Sequence, residues 1–458
     1  MQLLRLDKTV MRELILIAYP MIVSQGAFAL MTFTDRLFMS LLSPVHLAAS
    51  LGGGVAAFFC QALFIGILSY SNALVAHAFG ANKYAQCSRT LTQSLIMTGC
   101  SVPLLFVLTL LVGNLFELMG HAPEQTALER SYFIILMLGA PIALVKVCLA
   151  SYFSGIGQTR KVMIADTLGV LLNVPLSYVL VFGHLGLPAL GIIGAGVGTV
   201  VSSLFSTAIF VLFYLRKAHR TQFQVMDSFR LDKSILRRHL RLGFPSGLEM
   251  FLNVGAFNLF LLLYQAYGIV EGAAAAIVFN WDMLSFVPMI GLHIGVLSLV
   301  GRYLGARDLN SALKVSNAAF VVALSYSAVL ATLFILLREP MAGVFITPGP
   351  EQQEIRALAA FMMWGLAIFV VADAIMLVAA GVLRGAGDTR WLMFVSVMLH
   401  WLMLVIQFFV IKVWGLGTHT SWIIFVVMVV VMAVIYLWRL RSGHWRSPEA
   451  LERMLADN

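Results

Sequence analysis

The chain has 458 residues, of which 60% are apolar and only 11% are charged, and its formal net charge is +9. A water-soluble domain carries about 25% charged residues, so this composition excludes an ordinary soluble protein. The long apolar runs indicate helices that cross a membrane.

Twelve apolar stretches reach the length of ~20 residues that a helix needs to cross the hydrocarbon layer. A helix also satisfies its own backbone hydrogen bonds in lipid. We therefore predict an all-α integral membrane protein with twelve transmembrane helices. They cover about 14–41, 47–79, 91–113, 130–152, 162–183, 190–215, 242–266, 273–300, 315–337, 357–383, 391–411 and 419–438.

The two halves of the sequence repeat each other. Pro20, in the first predicted span, has its counterpart in Pro245 of the seventh, and the Gly-rich segment 155–160 recurs as 385–390. Repeats of this kind in a membrane chain are typical of transporters, with the substrate site between the halves.

Six spans in each half make the predicted lobes parallel repeats, related by an axis along the membrane normal. We predict an N-terminal six-helix lobe at 1–215, a basic cytoplasmic linker at 216–241 and a C-terminal six-helix lobe at 242–458, with the two lobes pseudo-symmetric. The linker carries eight Lys and Arg residues against two Asp.

The distribution of charge predicts the orientation. If the N-terminus is cytoplasmic, the inner segments hold 24 Lys and Arg residues and the outer loops hold 4. This is the positive-inside pattern, so both termini are predicted to be cytoplasmic. The positive charge is thereby assigned to membrane topology, and we expect no nucleic-acid partner.

Several segments resemble the multidrug and toxic compound extrusion (MATE) family of cation-coupled antiporters, and the resemblance covers nearly the whole chain. It implies two six-helix lobes and antiport of small molecules against a cation. The segments are Thr34-Asp35-Arg36 in span one, the turns Gly80-Ala81 and Gly305-Ala306-Arg307-Asp308, the paired turns Gly155–Arg160 and Leu383–Thr389, and Asn173-Val174-Pro175-Leu176 in span five.

The resemblance to the branch with its coupling aspartate on the first transmembrane helix is the closer one. Asp35 and Asn173 match that branch, although the second aspartate of the pattern, expected on span five, is Ser177 here. The resemblance implies that cation coupling takes place at Asp35.

A second branch of the family binds its cation in the C-terminal lobe. Its span-ten aspartate corresponds to Asp373, but the glutamate expected eight residues after the span-seven proline is Asn253, with Glu249 one turn earlier. The resemblance thus supports a site in the N-terminal lobe better than one in the C-terminal lobe.

Ionisable groups inside spans are expected to be functional, since each costs ~2.5–3.5 kcal/mol on insertion scales. Five acids qualify: Asp35, Asp166, Glu249, Asp282 and Asp373. Burial disfavours a charged carboxylate, so we predict that Asp35 couples transport by binding and releasing a proton. An alternative is a structural pair with the adjacent Arg36.

The other intramembrane charges have less defined roles. Glu249, Asp282 and Asp373 lie on three spans and are predicted to form one coupling site, or else to be satisfied separately by their neighbours. Asp166 is expected near the inner surface, and Lys146 is expected to pair with an acid or to reach water.

Polar side chains within spans are predicted to form the substrate or hydrogen-bond network: Gln25, Asn173, Ser177, Asn253 and Asn280. Pro20 removes one backbone hydrogen bond from the first span, and Gly26 is a further weak point. We predict that the first span bends there.

The predicted function is a secondary active multidrug exporter of the bacterial cytoplasmic (inner) membrane, working by alternating access between two lobes. A lipid-linked precursor flippase of the same superfamily and a non-transporting membrane scaffold are the alternatives. We predict no enzyme activity and no cofactor, with H⁺ favoured as coupling ion and Na⁺ possible at Asp35 or Asp373. Expected partners are drugs or toxic metabolites and membrane lipids, and the protein is expected to be a monomer.

Overall fold

The computed structural model of the chain describes residues 7–119, 122–344, 351–449 and 452. Both chain ends, which the charge pattern assigns to the cytoplasm, lie outside these residues.

The described residues form fifteen α-helices, joined mostly by short turns. They are α1 (Lys8–Leu42), α2 (Pro44–Ser69), α3 (Ser71–Gly80), α4 (Tyr84–Leu115), α5 (Pro123–Gly155), α6 (Thr159–Phe182), α7 (Ile192–Leu215), α8 (Lys217–Gln222), α9 (Lys233–Gln265), α10 (Ile269–Gly305), α11 (Leu309–Leu336), α12 (Arg338–Gly343), α13 (Gln352–Gly385), α14 (Thr389–Phe408) and α15 (Thr418–Ser442).

Twelve helical segments of the described residues are long and apolar enough to cross a membrane, which confirms the predicted fold class. Three of them are composite, and the twelfth, Thr418–Arg446, joins α15 to a short 3₁₀ turn at His444–Arg446. The second span, Pro44–Gly80, is interrupted at Tyr70, where α2 ends and α3 begins, and the eleventh continues α14 into a π-helical turn, Phe409–Val413.

The backbone repeats along with the sequence. Asn82 and Arg307 follow the matching glycines of the two halves, and both adopt left-handed conformations, with φ of 59° and 60°. Gly157 and Gly387, in the paired Gly-rich turns, do the same at 74° and 81°. Such conformations are uncommon outside glycine, so their recurrence at matching positions of the sequence repeats shows that the two halves share turn geometry.

The chain divides into two compact units, and the divisions fall inside helices α1 and α9. The continuous unit is Val23–Phe251, and the split unit combines the described residues through Ile22 with those from Leu252 onward. This division by contacts differs from the division by repeats at 215 and 242, so the lobe boundaries in sequence stay a prediction.

In the split unit, the start of α1 packs against α10. A Cβ on Gly291 would lie 2.5 Å from the backbone nitrogen of Ile22, and one on Gly295 would lie 3.1 Å from Ala18. Glycines at both positions therefore allow the helices to touch backbone to backbone. Polar contacts at the start of α1 add to this packing, including the ion pair between Arg302 and Glu13 at 3.0 Å.

In the continuous unit, the segment between α7 and α9 is docked onto α4. Ser88 Oγ donates to the Phe223 carbonyl at 2.7 Å, and Gln93 Nε2 donates to the Arg230 carbonyl at 2.8 Å. Gln93 Oε1 also accepts from the Asp232 amide at 3.1 Å. The predicted linker is thus held to the helical bundle by its backbone.

Candidate functional site

Close packing of α7 against α6 brings α7 to the buried acid of α1. A Cβ on Gly194 would lie 2.6 Å from the backbone carbon of Leu180, and one on Gly198 would collide with the Ser177 hydroxyl. These two glycines are four residues apart and so share one helix face. The next residue, Thr199, points away from this face and hydrogen-bonds Asp35.

The hydrogen bonding of Asp35 is asymmetric. Its side chain is 7% exposed, and its Oδ2 accepts from Thr199 Oγ1 at 3.0 Å. Its Oδ1 has no hydrogen-bond partner among the described residues. The Thr199 hydroxyl also lies 3.1 Å from the Ala195 carbonyl, so its one proton can serve either acceptor.

Three further polar side chains surround Asp35 or lie beside its neighbours. The Ser177 hydroxyl lies beside its carboxyl group and can stabilise the ionised form, and the Asp35 charge is close enough to act on Tyr132. One turn before Ser177, Asn173 is fully buried, and neither atom of its amide group has a partner in the described part of the chain. Asp35 therefore has hydrogen-bonding capacity nearby that its present contacts do not use.

Two expectations about Asp35 are not met by its contacts. Arg36 is exposed and makes no ion pair with Asp35 in the described residues, because adjacent side chains on a helix point ~100° apart. Gln25 is half-buried and is not a partner of Asp35. A role for Gln25 in the network stays a prediction.

Asp166 lies in the continuous unit in an ion pair, and its predicted position near the inner surface stays a prediction. Lys146 Nζ is 3.2 Å from Asp166 Oδ1, with side-chain exposures of 24% and 13%. Ser24 donates a hydrogen bond to Asp166 Oδ2. The prediction that Lys146 pairs with an acid is confirmed.

Asp282 and Asp373 of the split unit lie close enough to repel each other when both are ionised. Ser285 Oγ lies 3.3 Å from Asp282 Oδ1 and donates to the Asp282 backbone carbonyl at 2.7 Å. Glu249 is buried in the continuous unit. A single site containing all three acids stays a prediction.

The predicted amides of the split unit differ in environment. Asn253 Nδ2 donates to Ser396 Oγ at 2.7 Å, and its Oδ1 has no partner within the described residues. Asn280 is exposed. No group of three or more His, Cys, Asp or Glu side chains able to hold a metal ion occurs in the described ranges.

Sequence reasoning missed Thr199 and Ser24, whose hydroxyls donate to Asp35 and Asp166. Hydroxyl side chains cost little in a transmembrane helix because they can bond to the preceding turn, so neither residue stands out in composition. The Gly194 to Gly198 spacing before Thr199 is the signal that could have indicated a close helix contact there.

Comparison with known proteins gives one family. The family model described as MatE matches residues 20–179 and again residues 245–409. The two matches begin at Pro20 and Pro245, the prolines that mark the repeat, which confirms the duplication found in the sequence.

Among curated relatives, a protein of Pasteurella multocida (strain Pm70) called "Probable multidrug resistance protein NorM" is 26% identical over 443 residues, covering 94% of each chain. A protein of Edwardsiella ictaluri (strain 93-146) called "Multidrug resistance protein MdtK" is 26% identical over 445 residues, covering 94% of this chain and 95% of the other.

Solved structures share the fold. A MOP superfamily transporter from Pyrococcus furiosus superposes with a TM-score of 0.87 at 21% identity, over 96% of this chain and 97% of that one. An outward-facing multidrug resistance MATE family transporter gives 0.85 at 21% identity, over 96% and 97%.

Proposed function

The chain belongs to the MatE family, and from this premise we propose that it is a secondary active multidrug exporter. It would carry amphiphilic or cationic small molecules outward in exchange for protons, by alternating access between two lobes. The curated relatives that bear the name multidrug resistance protein support this proposal. The observation that carries it is the environment of Asp35.

Asp35 can exist in two hydrogen-bonded states. When the carboxyl group is ionised, the Thr199 hydroxyl donates to it at 3.0 Å. When the carboxyl group is protonated, its own O–H can donate to Thr199 Oγ1, and the Thr199 proton can turn to the Ala195 carbonyl at 3.1 Å. Proton binding thus exchanges one hydrogen-bond pattern for another instead of simply removing a bond.

The unpartnered Oδ1 of Asp35 favours the proton as coupling ion. This oxygen can take up a proton, and rotation of the carboxyl group then lets the new O–H donate to Thr199 Oγ1. Neutralisation of a buried charge changes the stability of the helix arrangement around it, and a ligand shifts a conformational equilibrium only through its different affinity for the two states. Proton binding at Asp35 therefore couples to drug release.

Sodium coupling is the alternative, and the Asp282–Asp373 pair of the split unit is its candidate site. Two carboxylates that repel each other attract a cation or share a proton. Na⁺ coupling at Asp35 is the other form of this alternative.

The test is transport by purified protein in lipid vesicles. With an amphiphilic cationic dye as substrate, we expect dye movement under an imposed proton gradient and little movement under a sodium gradient alone. Asp35→Asn should reduce proton-driven movement to the level of empty vesicles. Asp227→Asn, which changes an exposed acid of the same unit, is the matched control and should transport like wild type.

Movement that follows sodium and not protons would replace H⁺ by Na⁺ in the proposal. Proton-driven movement that survives Asp35→Asn unchanged would remove Asp35 as the coupling residue.

We propose that the protein is a monomer in the bacterial inner membrane. It crosses this membrane several times, and both of its termini are cytoplasmic. The 24-to-4 distribution of Lys and Arg supports this topology. A reporter fused after residue 458 that is active only outside the cytoplasm should be silent, and an active reporter would reverse the orientation.

A further inference from the structure

The continuous unit contains a second intramembrane polar site that the coupling chemistry at Asp35 does not use. It consists of the Lys146–Asp166 ion pair, at 3.2 Å, and the Ser24 hydroxyl that donates to Asp166. Ser206 Oγ lies 3.5 Å from Asp166 Oδ1 while donating to the Ala165 carbonyl at 2.7 Å. Helices α1, α5, α6 and α7 all contribute to this site.

The two polar sites are stacked along the same helix faces. Ser24 and Asp35 are 11 residues apart on α1, and Asp166 and Ser177 are 11 residues apart on α6. Eleven residues are close to three full turns, or about 16 Å along each axis. The side chains of both sites therefore project from the same face of α1 and the same face of α6.

The two sites differ in charge balance. At Asp166 the negative charge is compensated by Lys146, and the groups that face it are that ammonium and the hydroxyls of Ser24 and Ser206. At Asp35 the described partner is a neutral hydroxyl. The charge of Asp35 is therefore uncompensated and can take up a proton. The Lys146–Asp166 ion pair is neutral as a whole.

Ser24 occupies a particular place on α1. It follows Pro20 by four residues and precedes Gly26 by two, and the division between the two compact units falls just before it, between Ile22 and Val23. The proline weakens the backbone of α1 on one side of Ser24. The Ser24 hydroxyl bond thus fixes α1 to α6 at the point where the helix enters the continuous unit.

We propose that the Lys146–Asp166 ion pair is a fixed anchor for α1, and that Ser24 is the positioning residue through which it acts. With α1 held at Ser24, protonation of Asp35 moves only the part of the helix beyond Ser24. Because of the anchor, the part of α1 beyond Ser24 changes direction as one piece, and the helix does not become mobile over its whole length. This inference rests on the proposed function, because the movement that it describes starts from protonation of Asp35.

The sharpest test is Ser24→Ala, which removes one hydroxyl and leaves the ion pair intact. Ser24→Thr keeps a hydroxyl and serves as the conservative rescue. Ser40→Ala is the matched control, since Ser40 is an exposed serine of the same helix whose hydroxyl donates to the Leu37 carbonyl of its own turn.

The first measurement is distance by spin labelling, in protein whose four cysteines have been replaced by alanine. One label stands on α7 at Leu204, and the other on α1 at Phe28 or at Phe33; all three positions are exposed, at 52%, 54% and 62%. In wild type, changing the pH from 5 to 8 should move the Phe33 label more than the Phe28 label, because Phe33 is farther from Ser24.

In Ser24→Ala the pH-dependent displacement should no longer grow from Phe28 to Phe33. The second measurement is the ratio of dye export with and without a proton gradient, which should fall about tenfold for a lost bond to a charged group. Dye binding without a gradient should be unchanged. Ser24→Thr should restore both the displacement and the ratio.

The anchor is wrong if Ser24→Ala keeps the displacement pattern and the export ratio of wild type, even where Asp35→Asn abolishes export. It is also wrong if Ser24→Thr fails as Ser24→Ala does, because packing volume would then explain both. If instead Asp35→Asn exports normally, the proposed function fails, and the spin-label distances still decide whether α1 is held at Ser24.

Discussion

At the scale of single residues, the Thr199 hydroxyl stabilises the ionised form of Asp35. A hydrogen bond to a charged group contributes about 1.5–3 kcal/mol, and this bond is made to a carboxylate that is 7% exposed. Without the hydroxyl, the ionised carboxylate would lose its donor at 3.0 Å, and only the Ser177 hydroxyl would remain beside it. The protonated form would then persist to higher pH.

Thr199→Val should therefore move the pH dependence of export toward higher pH by about one to two units, since 1.36 kcal/mol corresponds to one unit. Thr199→Ser should leave the profile in place. Thr207→Val is the control, because that hydroxyl bonds to the Ser203 carbonyl of its own helix at 2.7 Å. Dye export measured across pH 5.5–8.5 checks this, and coincident Val and wild-type profiles would contradict it.

The acids of the split unit give a second residue-scale prediction. Asp373→Asn removes the repulsion between Asp373 and Asp282, so any cation shared between them binds less tightly. Export should fall several-fold, and Asp282→Asn should lower it less. If the double substitution leaves the export rate and its ion dependence as in wild type, the pair has no part in coupling.

The functional residues that could be predicted from sequence are those whose insertion into a membrane costs much free energy. Asp35 and Lys146 could be selected from sequence because a charge within an apolar span is costly. The pairing of Lys146 with Asp166 could not, because it depends on how two helices face each other. The Thr199 contact depends on the packing that Gly194 and Gly198 permit, which is equally absent from composition.

At the scale of elements, the segment between α7 and α9 is held by side-chain packing as well as by backbone bonds. His219 of α8 is 6% exposed, hydrogen-bonds Tyr152 at 3.0 Å and stacks on Phe223. Burial, together with the charge of Lys161, lowers the pKa of His219 from 6.5 to about 4. The docked segment therefore favours neutral His219.

The sign of the pH effect follows from this lowered pKa. A released segment has a histidine of ordinary pKa, so it binds more protons than the docked segment between pH 6.5 and 4. The free energy that favours docking of the segment should be greatest above pH 6.5 and should decrease as the pH falls toward 4. A spin label at exposed Met226 should gain mobility between pH 7 and pH 5.

His219→Phe provides the comparison, since it keeps an aromatic ring and cannot titrate. Label mobility in this variant should be the same at both pH values, while His444→Phe, at an exposed histidine, should behave as wild type. Equal pH dependence with and without His219 would assign the effect to another group.

Element boundaries were predicted only in part. The span 357–383 was anticipated from hydropathy, but α13 runs from Gln352 to Gly385, because a helix continues past its apolar portion until its backbone is capped. The interruption of the second span at Tyr70 was not anticipated. No proline or glycine marks it in sequence, and the Ile67 carbonyl before it is bonded instead by His239 at 2.9 Å.

At the scale of the whole molecule, α1 and α9 are the helices in which the two units divide, and each contains a proline near the division. Pro20 lies two residues before the end of its segment at Ile22, and Pro245 lies six residues before Phe251. An interior proline removes a backbone hydrogen bond and costs a helix ~3 kcal/mol. These positions are where bending of α1 and α9 is least opposed.

Pro20→Ala and Pro245→Ala should each stabilise a straight helix and slow export at saturating dye, while dye binding stays near the wild-type level. Pro103→Ala, within α4, is the control and should change the export rate less. Initial export rates in vesicles, compared with equilibrium dye binding, separate the two effects. Unchanged rates in both boundary variants would show that bending at these prolines does not limit transport.

The twelve spans and the duplication were accessible from hydropathy and repeat spacing, whereas the division into units was not. Repeats in sequence point to a division in the linker, but the contacts of α1 change partner at Ile22 and those of α9 at Phe251. Which unit a half-helix joins depends on close approaches such as Gly291 against Ile22.

The division inside α1 sets an order of events during synthesis. Residues 23–251 are complete as a unit before the ribosome has made Leu252, whereas the segment that ends at Ile22 must wait for partners that are made only after that point. At ~5–20 residues per second this delay is roughly 10–50 s. Through that interval the first turns of α1 are packed by lipid tails, which are as apolar as the side chains they replace, and this lipid has to leave when α10 arrives.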